Sequence, residues 1–270
     1  MPSRTCVTFD DLTLGYDGHA AVHHLSGTIS RGSMTAVIGA NGSGKSTLMK
    51  GVAGILKPIG GHCIRAAGLS VAYLPQHSEL DRSFPAQVID LVSLGLWPKR
   101  GLFGRHTSED KTAVAGALDA VGMHGFERRP LDSLSGGQMQ RALFARALLQ
   151  DADLILLDEP FNAVDTRTVA HLLALIRHWS GEGRTILAVL HDHDLVRAHF
   201  PQSILMARKV IAWGATADVL TAKHLQQARQ FEEAWDEDAP WCGADEADEA
   251  GDVTAALFAP QPARKAGRHV

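Results

Sequence analysis

The most constraining feature of the sequence is a glycine-rich segment, residues 39–46, which reads Gly-Ala-Asn-Gly-Ser-Gly-Lys-Ser. An apolar stretch precedes it and an amphipathic stretch follows it, so the pattern predicts a strand, a tight loop and a helix. Glycines let the backbone turn its N–H groups toward phosphate oxygens, and the helix N-terminus adds the positive end of its dipole. This segment, the phosphate loop, predicts a nucleoside triphosphate site made of Gly39, Ala40, Asn41, Gly42, Ser43, Gly44, Lys45, Ser46 and Thr47.

Two acidic residues, Asp158 and Glu159, follow directly after the apolar run 154–157. A buried strand can carry carboxylates only at its C-terminal end, where a parallel sheet meets its ligand crevice. We expect Lys45 to reach the β- and γ-phosphates, and Ser46 and Asp158 to ligate Mg²⁺, which prefers oxygen ligands. Glu159 lies one residue further on and points elsewhere, so we expect it to polarise the attacking water.

Apolar stretches with strand and helix periods alternate along the chain, which indicates an α/β fold with a largely parallel sheet. Residues 203–207 and 210–213 predict a hairpin. Residues 58–70 are glycine-rich, so we predict turns there. Helical spacing returns at 84–96 and 108–121, with a predicted loop at 97–104 between them.

The distribution of charge along the chain indicates which kinds of partner it can bind. Residues 232–252 hold ten acidic residues and no Lys or Arg, and their composition predicts a solvated, disordered tail over 232–270. Residues 1–231 then hold 23 basic and 20 acidic residues, too weak an excess to capture nucleic acid electrostatically. Three scattered cysteines argue against a disulfide framework, and no apolar run reaches the roughly 18 residues of a membrane span.

A more specific segment is Leu-Ser-Gly-Gly-Gln at 134–138, the signature segment, which lies 20 residues before Asp158. Here the sequence resembles the ATPase subunit of ABC transporters, and the resemblance covers about residues 5–225. It implies a P-loop ATPase fold with a small N-terminal antiparallel β region and an inserted helical subdomain at about 77–140, all within a domain at 1–231. It also implies that Ser135, Gly136, Gly137 and Gln138 bind the ATP held by a second copy, in a head-to-tail dimer with two ATP molecules.

Other positions take their roles from the same resemblance. Tyr16 resembles the aromatic residue that stacks on adenine, and Gln76 the glutamine that senses Mg²⁺ and the attacking water. Asp165 resembles the aspartate of a loop that communicates across the dimer, and His191 the histidine that contacts the γ-phosphate. Asn162 stands where the family usually has serine, which leaves the details of that communication open.

Several further stretches are similar to the ATPases of zinc and manganese importers, among them 80–85, 159–161 and 191–196. The resemblance implies an ATPase on the cytoplasmic face of the membrane that drives metal uptake, zinc in preference to manganese. Its partners would be a separate permease and, indirectly, a solute-binding protein. We expect the permease to dock on 77–105, with Trp97, Leu102 and Phe103 as exposed anchors, and Arg100 to take part.

Three alternatives stay open. The chain could serve a siderophore or haem importer, or be a soluble ABC ATPase, although it has a single signature segment and no coiled-coil heptads. The acidic tail could also sense metal and regulate the ATPase. The 14 histidines do not stand at the spacing of a zinc site, so we interpret them as ordinary or nucleotide-related residues.

Overall fold

The computed structural model describes residues 5–76, 85–101, 107–162 and 164–233. The strands are β1 (Thr5–Tyr16), β2 (His19–Ser30), β3 (Met34–Ile38), β4 (Gly60–Arg65), β5 (Val71–Leu74), β6 (Leu154–Asp158), β7 (Thr185–Val189), β8 (Gln202–Ala207) and β9 (Lys209–Ala215). The helices are α1 (Lys45–Ala53), α2 (Val88–Ser93), α3 (Trp97–Arg100), α4 (Ser108–Ala120), α5 (Gly136–Gln150), α6 (Thr166–Gly181), α7 (His193–His199), α8 (Thr216–Val219) and α9 (Ala222–Glu233). Two 3₁₀ turns lie at Leu94–Leu96 and Leu131–Ser133.

Six strands form the central sheet in the order β5-β6-β7-β3-β8-β9. The first five are parallel, and β9 pairs antiparallel with β8. Strands β3, β6 and β7 are buried along their whole length. Their side chains alternate between two apolar clusters, one on each face of the sheet, as a parallel sheet covered on both sides requires. The predicted α/β fold and the predicted hairpin at its edge are confirmed.

A second, three-stranded antiparallel sheet has the order β2-β1-β4 and packs with α1 against one face of the central sheet. The prediction of turns across 58–70 was wrong, because Gly60–Arg65 forms the edge strand β4, with Cys63 opposite Phe9. Every β4 side chain is exposed or half-buried, so the sequence shows no apolar alternation there. Backbone pairing with β1 holds this strand in place.

The helices α2, α4 and α5 pack together on the other face of the central sheet. The helices α4 and α5 begin at capping boxes, in which the Thr107 and Ser135 hydroxyls accept the amide protons of Asp110 and Gln138. The loop predicted at 97–104 begins instead as the single-turn helix α3, because Pro98 fits the first turn of a helix. Residues 102–106 lie outside the described part of the chain.

The C-terminal helix α9 covers a stretch for which no helix was predicted, and its Leu225 and Ala228 pack against the core. The tail predicted for 232–270 lies almost wholly beyond the described residues, which end at 233. Its disorder therefore stays a prediction.

We predict that two glycines in the same backbone region differ in their tolerance of alanine. Gly44 has φ +90°, and a β-carbon there would lie 2.3 Å from the Ala21 carbonyl oxygen, whereas Gly18 has φ +82° and open space around it. Gly18→Ala should lower the free energy of unfolding by about 1 kcal/mol, because alanine is strained in the left-handed region. Gly44→Ala should lower it by about 3 kcal/mol, because the β-carbon is also overpacked. Urea unfolding without nucleotide measures both; equal losses would contradict the prediction.

Candidate functional site

The phosphate loop connects β3 to α1 and is enclosed by neighbouring backbone. A β-carbon on Gly39 would lie 2.2 Å from the Met206 carbonyl oxygen, so β8 approaches the loop too closely for any other residue. The backbone N–H of Arg208, in the β8–β9 turn, donates to the Ser43 carbonyl oxygen at 3.1 Å. These contacts fix the course of the loop, and α1 begins directly after it at Lys45.

Polar side chains within the loop face inward. Lys45 is only 5% exposed, and its Nζ donates to the carbonyl oxygens of Gly39 and Ala40 at 2.9 and 2.6 Å. The Ser43 hydroxyl is buried and has no hydrogen-bond partner among the described residues. An ammonium and a free hydroxyl inside a loop of this shape fit a bound phosphate group.

Two oxygen ligands for a cation lie beside the loop. The Ser46 hydroxyl donates to Asp158 Oδ1 at 3.2 Å, which joins α1 to the end of β6. The Tyr73 hydroxyl lies 3.5 Å from Asp158 Oδ2 and orients this carboxylate from β5. A hydroxyl and a carboxylate together are a donor set that suits Mg²⁺, a hard cation with oxygen ligands.

Glu159 is held by three side chains from three separate segments. Its Oε2 accepts from Gln76 Nε2 at 2.8 Å and from Asn162 Nδ2 at 3.2 Å, and its Oε1 lies 2.8 Å from His191 Nε2. Its backbone is left-handed, with φ 50°, and this turns the side chain away from that of Asp158. Partial burial raises the pKa of Glu159, but the contacts with His191, Asn162 and Gln76 outweigh it, so the pKa lies below its ordinary value.

Most of these groups line one cavity of about 1020 Å³, whereas Asp158 is buried and contacts Ser46, a residue of the cavity lining. It is formed by the loops that follow β3, β5, β6 and β7, and it includes Lys45, Ser46, Gln76, Glu159 and His191. The predicted site residues that are far apart in the sequence are thus brought together at the carboxyl edge of the central sheet, where ligands of open α/β sheets bind.

The other predicted residues lie outside this cavity. Among the described residues, neither Tyr16 nor any member of the signature segment lines it. Tyr16 is 46% exposed at the turn between β1 and β2. Ser135 caps α5 and Asp165 caps α6, where it accepts from the Thr168 amide at 3.0 Å and from the Thr168 hydroxyl at 2.6 Å. The structure does not bring these residues to the triphosphate site of the same copy.

Sequence reasoning missed two residues at the site. Asn162 was noted as a departure from the family, but its amide contact with Glu159 was not predicted, although it lies only three residues further on. Tyr73 was not predicted to take part in the site, and its contact with Asp158 spans 85 residues, so no local pattern signals it.

A phosphate loop at the switch from strand to helix, with carboxylates at the end of a neighbouring parallel strand, defines an α/β nucleoside triphosphatase. A family model described as "ABC transporter" matches residues 22–162. The chain belongs to the ABC transporter family and is an ATPase that uses ATP with Mg²⁺. No helix in the described residues is long and apolar enough to cross a membrane.

Comparisons with individual proteins point to one branch of the family. The manganese transport system ATP-binding protein MntB of Listeria monocytogenes is 38% identical over 80% of this chain and 93% of its own length. The zinc transport system ATP-binding protein TroB of Treponema pallidum is 39% identical over 82% and 86%. A solved structure, described as the inward-facing conformation of a metal-chelate type ABC transporter, is 29% identical with a TM-score of 0.75, over 84% and 89%.

We predict that His191→Ala raises the pKa of Glu159. Burial raises this pKa in any case, and the contact with His191 is the largest of those that lower it. The ionised Glu159 contributes stability that is present above the unfolded-state pKa and is lost as the pH falls through the folded-state pKa. In the variant this contribution is therefore smaller, and its loss is complete at a higher pH. Carboxyl ¹³C NMR titration measures the shift, with His193→Ala as the neighbouring control. An unchanged pKa in His191→Ala would contradict the prediction.

Proposed function

We propose that this chain is the ATP-hydrolysing subunit of an importer that takes up a divalent metal, zinc or manganese, through a separate membrane permease. The observation that carries the proposal is the placement of Glu159 beside the phosphate loop, in contact with Gln76 and His191. The named functions of MntB and TroB support the substrate class. MntB is named for manganese and TroB for zinc, and this chain is nearly equally identical to both. The two relatives therefore do not support the preference for zinc over manganese.

The proposed chemistry assigns a task to each side chain in the cavity. The phosphate loop binds the triphosphate and Lys45 neutralises its β- and γ-phosphates, while Ser46 and Asp158 hold Mg²⁺, which when bound offsets phosphate charge. Glu159 accepts a proton from the attacking water. Oε2 already has two donors, whereas Oε1 contacts only His191 among the described residues and so keeps a second lone pair for the water. His191 holds the opposite side of that carboxylate and faces the γ-phosphate.

The proposal also requires a second copy of the chain. The signature segment lies outside the cavity of its own copy, and Ser135 at the N-terminus of α5 is placed to meet an anion there. In the proposed head-to-tail dimer, each copy closes the other's site, with Asp165 near the contact and Tyr16 against the adenine. Binding of ATP would favour the closed dimer and one state of the permease, and hydrolysis would release it. The dimer would lie on the cytoplasmic face of the membrane.

The test combines Glu159→Gln with metal uptake. We expect this variant to bind ATP with near-normal affinity but to lose at least about 100-fold in turnover, because an amide cannot accept the proton. In cells that lack the chain, uptake of zinc or manganese should return with the wild type and with Glu109→Gln, a surface control, but not with Glu159→Gln. Hydrolysis by Glu159→Gln near the wild-type rate would remove Glu159 from the role of base.

A second candidate function, import of a metal chelate, is favoured by the similarity to the metal-chelate type transporter. The same cells distinguish the two functions. A deficit in the uptake of the free zinc or manganese ion supports the first proposal. A deficit confined to a chelated metal, such as a siderophore or haem complex, supports the second.

The surface that we propose for the permease is a groove of about 500 Å³, the docking groove, in the segment predicted to bind it. It is lined by Ile89, Leu94, Leu96, Trp97, Arg100 and Lys111, and Trp97 and Leu94 are 49% and 45% exposed. Large exposed apolar side chains beside a cavity are typical of a protein contact. The other predicted anchors, Leu102 and Phe103, lie outside the described residues.

Arg100 has an internal partner that the sequence did not reveal. Its guanidinium donates to Asp110 Oδ1 at 2.9 Å, and this contact holds the pKa of Asp110 down at about 2. Charge reversal at Arg100 would therefore break an ion pair within the chain as well as any contact with a partner. Trp97 is the cleaner position at which to test the docking groove.

We predict that Trp97→Ala lowers co-purification with the permease at least about tenfold, because an exposed aromatic anchor of an interface is worth about 2 kcal/mol or more. ATP binding by the isolated chain should be unchanged. Ile64→Ala, which truncates a side chain that is 56% exposed on β4, is the control. Equal co-purification of both variants would count against the docking groove.

A further inference from the structure

The side chain of Arg146, in the middle of α5, is half-buried and has an incomplete set of partners. Its Nη2 donates to the Tyr73 carbonyl oxygen at 2.7 Å, while its Nε is buried with no hydrogen-bond partner among the described residues. Burial lowers the pKa of this guanidinium. A well-packed apolar residue of similar volume often replaces a buried ionic group at no loss of stability. The stability of the fold alone therefore does not explain why this position holds an arginine and not an apolar residue of similar volume.

The accepting carbonyl lies on the strand that leads to Gln76. Tyr73 is in β5, the edge strand of the central sheet, which within the described part of the chain pairs with β6 alone. Backbone groups on the free side of an edge strand need other partners. Arg146 supplies a charge-assisted donor to this strand three residues before Gln76, whose amide contacts Glu159.

The backbone of Arg146 is in close contact with Gly95, in the turn that carries two side chains of the docking groove. A β-carbon on Gly95 would lie 2.4 Å from the Arg146 carbonyl oxygen and 2.8 Å from Leu149 Cβ. Gly95 is the middle residue of the 3₁₀ turn Leu94–Leu96, which carries two side chains of the groove. The absence of a side chain at Gly95 lets this turn rest directly on α5. One turn of α5 thus contacts the groove on one side and β5 on the other.

We infer that Arg146 is a positioning residue for hydrolysis: it holds β5, and through it Gln76, against Glu159, and it links this position to the docking groove. The inference rests on the proposed function for the roles of Glu159 and the groove. Among the described residues, those that line the cavity of the triphosphate site do not include Arg146. It acts through the edge strand β5, whose backbone pairs with β6 and whose Tyr73 carbonyl accepts from Arg146.

The first test compares Arg146→Met with Arg146→Lys. Met keeps the bulk but removes the donor, so kcat per bound ATP should fall about tenfold with KM within twofold, since small displacements of a catalytic group are costly. Lys restores a donor, so part of kcat should return. Arg65→Met is the matched control, because Arg65 also donates to a backbone carbonyl, that of Ala53, away from the cavity. Wild-type kcat in Arg146→Met would overturn the inference.

A pH profile separates positioning from a structural defect. If Gln76 leaves Glu159, the carboxylate loses a donor and its pKa rises, so the acid limb of kcat should move to higher pH, as in Gln76→Ala. The other titratable groups around Glu159 are the same in all variants: His191, Lys45 and Asp192 in the cavity, and Asp158, its neighbour in the chain. An acid limb at the wild-type position, with kcat lowered only by loss of folded protein, would overturn the inference.

Gly95→Ala tests the same connection from the side of the docking groove and leaves the Arg146 side chain unchanged. Its β-carbon would press on the Arg146 carbonyl, so kcat should fall severalfold with the number of bound ATP molecules unchanged. This variant decides the matter if Arg146→Met does not fold, and an unchanged kcat would then overturn the inference. A fully active Glu159→Gln, by contrast, would remove Glu159 from the role of base, which is the part of the proposed function on which this inference rests.

Discussion

The parallel register of four neighbouring strands is the constraint on which the site depends. Because β5, β6, β7 and β3 are adjacent and run in the same direction, their carboxyl ends lie at one edge of the sheet. Each strand then delivers one part of the site: Gln76, the Asp158–Glu159 pair, His191 and the phosphate loop. Since β6 is buried on both faces, its end is the place where it can carry charge, and a shift of register by one residue would bury these carboxylates in an apolar layer.

The state of Glu159 is a balance of opposing effects, and burial alone would favour the protonated form. Two amide donors on one oxygen and His191 beside the other keep the carboxylate ionised and fix its plane. The left-handed backbone at Glu159, costly for any residue with a β-carbon, sends neighbouring carboxylates in different directions. Asp158 therefore contacts Ser46 while Glu159 contacts Gln76 and His191, an arrangement that would keep the proposed cation ligand apart from the proposed base.

Sequence patterns predicted those parts of the molecule that local chemistry specifies. The phosphate loop, the acidic end of β6 and the buried strands each have a signature within a few residues, because glycine, charge and apolar runs act locally. The strand β4 escaped prediction because its side chains are largely exposed and its pairing with β1 uses only backbone groups. The partners of Arg100, Tyr73 and Arg146 escaped because each depends on tertiary packing, and the last contact joins residues 73 positions apart. The roles of the individual site residues and the disordered tail stay predictions.

The helix α5 physically connects the signature segment, β5 and the docking groove. Its N-terminus bears the signature segment, its middle turn contacts both β5 and the turn at Gly95, and its 15 residues span about 22 Å. A close-packed helix moves as a unit, because its buried side chains cannot slide past their neighbours without loss of contact. A displacement at the docking groove would therefore reach Gln76 through Arg146 and the signature segment through the helix itself. Hydrolysis in one copy and closure on the other copy's nucleotide would then respond to the same movement, which is what coupling to a permease requires.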